Sequence, residues 1–222
     1  MKISHAGDII SLAAGRCLIL ALVLTTLCTG DVLAQSRHGS RPVMARDAEI
    51  ALARSAAPPA VSSGARVWVW TGTTYTVADS GTTKVNCYVA RLWIPSVEPH
   101  CLDEEGSATI LPILMRKVEL YAQGKTEIEV EKEIADRIAA GGLKLPRRPA
   151  ITYMMSAAQQ LVGGEGNSVG AWQPHLMIFY PNWTAQQAGL PGFVPDLGFI
   201  ENPGLPMSAF VVPLKTFVPA PK

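Results

Sequence analysis

The side chain best suited to chemistry is His175, which enters an otherwise apolar segment at 170–181, GAWQPHLMIFYP. An imidazole with an unperturbed pKa of about 6.5 can act as a general base near neutral pH. Hydrolysis would need two more groups: a nucleophile, for which Ser156 is the candidate, and an orienting carboxylate, for which Asp103 and Glu165 are the candidates. The chain carries no S-x-x-K, H-E-x-x-H or C-x-x-C to support such a centre. Gly164 and Gly166 begin like a dinucleotide loop, but Val169 stands where a third glycine is required, so no cofactor is expected.

Soft ligands form a second set. Met154, Met155 and Met177 together with His175 would suit cuprous copper if neighbouring strands met in the right register. Strand side chains alternate between faces. If Met155 shares a face with Met177 and His175, Met154 turns away and the set is broken, so no metal site is expected. A third set is recognition without chemistry, for which Trp172, His175 and Tyr153 are the binding candidates, with Trp183 a further aromatic residue nearby.

Of the four cysteines, Cys17 and Cys28 lie in an N-terminal stretch with the marks of a signal peptide. Lys2, His5 and Arg16 precede an apolar core at 17–28, and Val32-Leu33-Ala34 presents small residues at the cleavage positions. Cleavage is expected after Ala34, with no membrane span remaining. That core is well short of the roughly 20 residues that a spanning helix requires. An exported protein, periplasmic or secreted, would keep Cys87 and Cys101 as an even pair in an oxidising compartment, and a disulfide between them is expected.

These residues must be positioned by elements that the sequence also outlines. Residues 35–44 are polar, carry Gly and Pro, and are expected to form a flexible leader; 45–222 read as one domain with a Pro-rich C-terminal segment. A short helix is expected at 45–57, ended by Pro58-Pro59. Alternating and β-branched residues at 67–70, 74–77 and 85–93 predict a three-strand antiparallel meander with Trp68 and Trp70 on one face, there as core. A Pro-rich loop is expected at 94–106. Ile110, Leu114, Val118 and Tyr121 then mark a helix with Pro112 in its first turn. Thr126 with Glu129 is a capping box opening a second helix, with Val130, Ile134 and Ile138 on its buried side and its charged run on a solvated face. A short link at 124–125 makes the two an αα-hairpin packed on the sheet. A strand is expected at 150–156 and a short partner at 159–162, followed by a glycine-rich hairpin turn at 163–167. The apolar run 176–180, fenced by Pro174 and Pro181, predicts a central strand buried on both faces. Residues 209–214 form a last strand on the sheet edge. The fold class is α+β, an antiparallel-rich sheet with the helical hairpin on one face.

Glu49 to Pro59 (EIALARSAAPP), Pro99-His100-Cys101 and Gly170 to Ile178 (GAWQPHLMI) resemble a family of exported bacterial proteins that has no assigned activity. The resemblance covers most of the chain after residue 34 and implies export and one folded unit. It implies no activity, cofactor or site residue.

With a formal net charge of +1 and 48% hydrophobic residues, the chain has material for a core and no basic face interleaved with aromatics, which argues against nucleic acid as a partner. The sequence therefore points to a small exported domain that binds an envelope component, a peptide or a protein, or has a structural role there. The alternative is a hydrolase with His175 as general base.

Overall fold

The computed structural model describes residues 37, 39–94, 96–162, 168–170, 173–192 and 197–221. The expected signal peptide, the turn at 163–167 with Glu165, and Trp172 lie outside the described residues. Among the described residues no helix is long and apolar enough to cross a membrane.

The chain opens with α1 (Arg46–Arg54), which buries Glu49, Leu52 and Ala53, and continues into the single turn α2 (Pro59–Ser62). Pro59 takes the first helical position, where its missing N–H leaves nothing unpaired. Four strands follow: β1 (Arg66–Trp70), β2 (Tyr75–Asp79), β3 (Asn86–Ala90) and β4 (Glu98–Leu102). Two helices come next, α3 (Glu104–Ala122) and α4 (Glu127–Ala139). The chain then forms β5 (Ala150–Met154), β6 (Leu161–Val162), β7 (Ser168–Gly170), β8 (His175–Phe179), β9 (Phe199–Glu201) and β10 (Ala209–Pro213). Eight strands make one sheet in the order β2-β1-β3-β4-β5-β8-β10-β9, and β6 and β7 make a second, two-stranded one. The class is α+β, as the sequence reading expected.

Helices cover the two faces of the sheet. On one face α1 packs over β1, β3 and β4, and Leu52 and Ala53 close on Val67, Val89 and the Cys87–Cys101 pair. These cysteines stand directly opposite each other on β3 and β4 and are bonded, 14 positions apart in sequence. On the other face α3 packs over β3, β4 and β5, with Ile110, Leu114 and Val118 against Tyr88 and Leu102. The helix α4 packs against α3 through Val130 and Ile134, which meet Ile113, Leu120 and Tyr121. Its start is the capping box expected at Thr126 and Glu129. Trp70 is in the same core as α3, with Trp68 packed against it.

Several expectations are corrected. The segment 94–106 is not a loop: residues 98–102 form β4, buried throughout and central in the sheet. Pro99 is tolerated there for a reason of register. The Cα atoms of Cys87 and Cys101 are 4.1 Å apart, close to the spacing of a non-hydrogen-bonded pair, so Val89 and Pro99, two positions along, are such a pair as well. Proline's missing donor would have pointed towards β5, which pairs with β4 only at Cys101 and Leu102.

The three early strands are not a meander. β1 pairs with β2 antiparallel on one side and with β3 parallel on the other, which leaves β2 at the edge with Thr76 and Val77 exposed. A hairpin signal establishes that β1 and β2 pair; it carries no information on which side of β1 the third strand joins.

Helix α3 starts earlier than its apolar stripe suggests. Asp103 is its N-cap, accepting from the Gly106 N–H at 2.7 Å, so Pro112 lies inside the helix and not in its first turn. Residues 209–213 are internal, between β8 and β9, and the edge strand is β9. β8 is paired on both sides by β5 and β10, but only His175 and Phe179 at its ends are fully buried. The expectation of burial on both faces is therefore corrected. α1 packs mainly over β1, β3 and β4, and the α3-side face of β8 floors a cavity.

Candidate functional site

Strand pairing determines which side chains share that floor. In the β5–β8 ladder Met154 stands opposite His175, and Thr152 stands opposite Met177. In the β4–β5 ladder Leu102 stands opposite Thr152. Opposed residues project to the same face, and so do residues two apart on one strand. His100, Met154, His175 and Met177 therefore all project from the same face, the α3 side. This corrects the sequence assignment of Met155 to the face of Met177 and His175; Met154 takes that place. Phe179 on β8, Val211 on β10 and Phe199 on β9 extend the same surface.

Above this floor is a cavity of about 970 Å³. One wall is helical, with Leu114 and Lys117 from α3 and Ile134 and Ile138 from α4; the other is the turn Asn202 to Met207. Arg37, from the segment expected to be a flexible leader, also lines the cavity. Its guanidinium carbon lies 3.6 Å over the Trp93 ring, and it pairs with Glu127 at 3.0 Å. Arg41 anchors the same segment. Only 3% exposed, it donates to the Arg91 carbonyl at 2.7 Å.

The polar groups of the floor are buried, and burial dominates their titration. His175 is 2% exposed, and desolvation lowers its pKa to about 4. Its Nδ1 lies 2.9 Å from the Gln173 carbonyl oxygen, which can only accept, so Nδ1 carries the proton and Nε2 the lone pair. His100 is 4% exposed and is lowered to about 3 by burial and by the neighbouring His175. Its ring meets Tyr88 edge-on, with Nδ1 at 3.5 Å from the Tyr88 hydroxyl. Glu98 is raised to about 7, first by burial and then by the charge of Glu201, with Arg37 and a hydrogen bond from Ser96 opposing. Glu201 is an exposed residue whose carboxyl is nonetheless raised by desolvation, against Arg37 and Lys117.

The candidates read from sequence are dispersed. His175 is in the cavity, whereas Ser156 is sealed, does not line it, and shares a 2.6 Å hydrogen bond with the Ser55 hydroxyl at the end of α1. Asp103 caps α3. Tyr153 stands one position from Met154, on the opposite face, and packs beside the α1 core. Trp183 meets Tyr180 and Phe210 edge-on.

The sequence reading missed Glu98 and His100, because a Pro-rich stretch with a central proline does not read as a strand. It also missed that 166–170, GNSVG, has the form G-x-S-x-G. A nucleophile elbow needs its serine on a turn from strand to helix. Ser168 instead opens β7, and among the described residues no helix separates β7 from β8.

A second depression, of about 460 Å³, lies beside residues 141–147. Its carboxylate, Glu105, is already taken by the Arg147 N–H and the Arg148 guanidinium, both at 2.9 Å. The larger cavity brings together two imidazoles lowered by burial, two thioethers and a carboxyl raised to about 7.

Comparison of the chain with protein-family models, with curated proteins and with solved structures gives no match.

Proposed function

We propose that this protein is exported and that its folded domain binds a small, mainly apolar molecule of the cell envelope in the cavity above β8. The carrying observation is the cavity itself. At about 970 Å³ it is within the range of small-molecule sites, and its lining combines Met, Phe, Leu and Ile with polar groups on the floor and charged side chains, Lys117, Glu127 and Glu131, on the helical wall. Export is supported by the charged, apolar and small-residue order of residues 1–34 and by the paired cysteines.

Binding is favoured over hydrolysis by the state of the imidazoles. A base lowered to about pKa 4 by burial accepts a proton weakly at neutral pH, and Ser156 is engaged elsewhere. The test is titration of the purified protein with an environment-sensitive apolar fluorophore, in parallel with chromogenic ester assays. Saturable binding at one site, weakened at least tenfold by filling the floor with Met177→Trp, is expected. Ester turnover abolished by His175→Ala would restore the hydrolase; absence of saturable binding would overturn the ligand-binding reading.

A further inference from the structure

We propose that the floor of this cavity is a binding site for a soft monovalent cation, Cu(I) or its analogue Ag(I), with His100, His175, Met154 and Met177 as ligands. The site is within the cavity assigned above and rests on that cavity being open to solutes, but not on an organic ligand occupying it.

Ligand placement follows from the sheet. Met154 lies between the two histidines, opposite His175 on one side and one register step beyond the Cys101–Tyr153 pair on the other, so His100, Met154 and His175 form a row across β4, β5 and β8. Met177 is two residues along β8 from His175 and projects to the same face. All four line the cavity.

The imidazoles are prepared as ligands. A coordinating histidine commonly donates its other ring N–H to a carbonyl, which fixes the tautomer and the ring orientation. The Gln173 carbonyl does this for His175. His100 supplies an independent sign: its Nε2 is buried and makes no hydrogen bond, the nearest carboxylate oxygen, on Glu98, being 3.8 Å away. A buried polar atom left in this way destabilises the fold unless something satisfies it.

The donor set selects the ion. Among the described residues no three His, Cys, Asp or Glu side chains converge as metal ligands, so zinc and other borderline ions lack a third donor. Two thioethers supply the remaining donors, and thioether sulfur favours Cu(I) over hard divalent cations. Apolar neighbours, Leu114, Phe179 and Val211, flank the site. The paired cysteines are on the opposite face under α1 and do not compete.

The test is anaerobic titration of the purified protein with Cu(I) against a chromogenic Cu(I) chelator, with apolar-probe titration alongside. One equivalent withheld from the chelator is expected, with at least a tenfold loss of affinity in Met154→Leu/Met177→Leu and in His100→Phe. X-ray absorption should show nitrogen and sulfur scatterers together. Ag(I) should shift two methionine methyl resonances in the wild type and neither in the double variant, whose melting temperature checks the fold. Complete transfer of copper to the chelator would overturn the site, as would retention unaffected by the methionine substitutions. Probe binding that persists without copper binding would sink this inference alone; copper binding without probe binding would sink the ligand reading alone.

Discussion

Met154 on β5 stands directly opposite His175 on β8, so the thioether and the imidazole share the cavity floor while Met155, the next residue, does not line it. Adjacent methionines are thus given unlike roles by one register. Met154→Ala should alter apolar-probe affinity at least threefold, and Met155→Ala should leave it within error. Parallel fluorescence titrations decide the point, and equal effects from the two would show that the floor is not what governs binding.

A buried ion pair links α1 to the sheet side. Arg91 Nη1 lies 2.8 Å from Glu49 Oε1, which also accepts from the Trp70 N–H at 3.1 Å. Both residues are almost fully shielded from solvent. Removing one partner strands the other charge in a poor solvent, so Glu49→Ala should destabilise the fold by about 3–5 kcal/mol. Denaturant titration measures this. A loss below about 1 kcal/mol would mean that water reaches Arg91 freely.

The Cys87–Cys101 bond joins strands already paired, and its loop spans 14 positions. Chain entropy alone assigns it about 3 kcal/mol. The variant Cys87→Ala/Cys101→Ala should unfold at correspondingly lower denaturant concentration, and thiol counting on the unfolded wild type should find this pair unreactive until reduced.

Gly81 adopts φ +64, and a Cβ there would meet the Arg66 nitrogen at 2.4 Å. Alanine would suffer the left-handed backbone cost of about 1–2 kcal/mol plus that clash. Gly81→Ala should therefore lower the melting temperature, whereas Gly189→Ala, also at positive φ but with nothing within 4 Å, should lower it less. Thermal scans giving the reverse order would contradict the geometry.

Beside that turn, the Gly81 N–H and the Arg54 guanidinium hold the Asp79 carboxyl below its usual range. A carboxylate depressed on folding contributes stability that is complete above the unfolded pKa of about 3.9 and is lost as pH falls through the lower folded value. Asp79→Asn should make unfolding less sensitive to pH below about 4. An unchanged slope in acid would show that solvent screens the contact.

Local features were legible wherever short-range physics decides them. Thr126 and Glu129 satisfy each other's backbone donors within one turn, so four residues suffice to mark the start of α4. The alternation at 67–70 and the stretch 150–156 marked strands, observed at Arg66–Trp70 and Ala150–Met154, and Cys87 and Cys101 were identified as partners because they are an even pair after residue 34. Alternation, however, states only that Met154 and Met155 face opposite ways. Which of them joins His175 depends on hydrogen bonds to a strand about twenty residues away, and that is a property of register. β4 was hidden for a related reason. A proline is compatible with a central strand only if its bare nitrogen meets no ladder, and whether it does depends on where β5 stops pairing. The ligand set on the floor was therefore set by tertiary pairing, since His100 enters it from a stretch whose strand character exists only between β3 and β5.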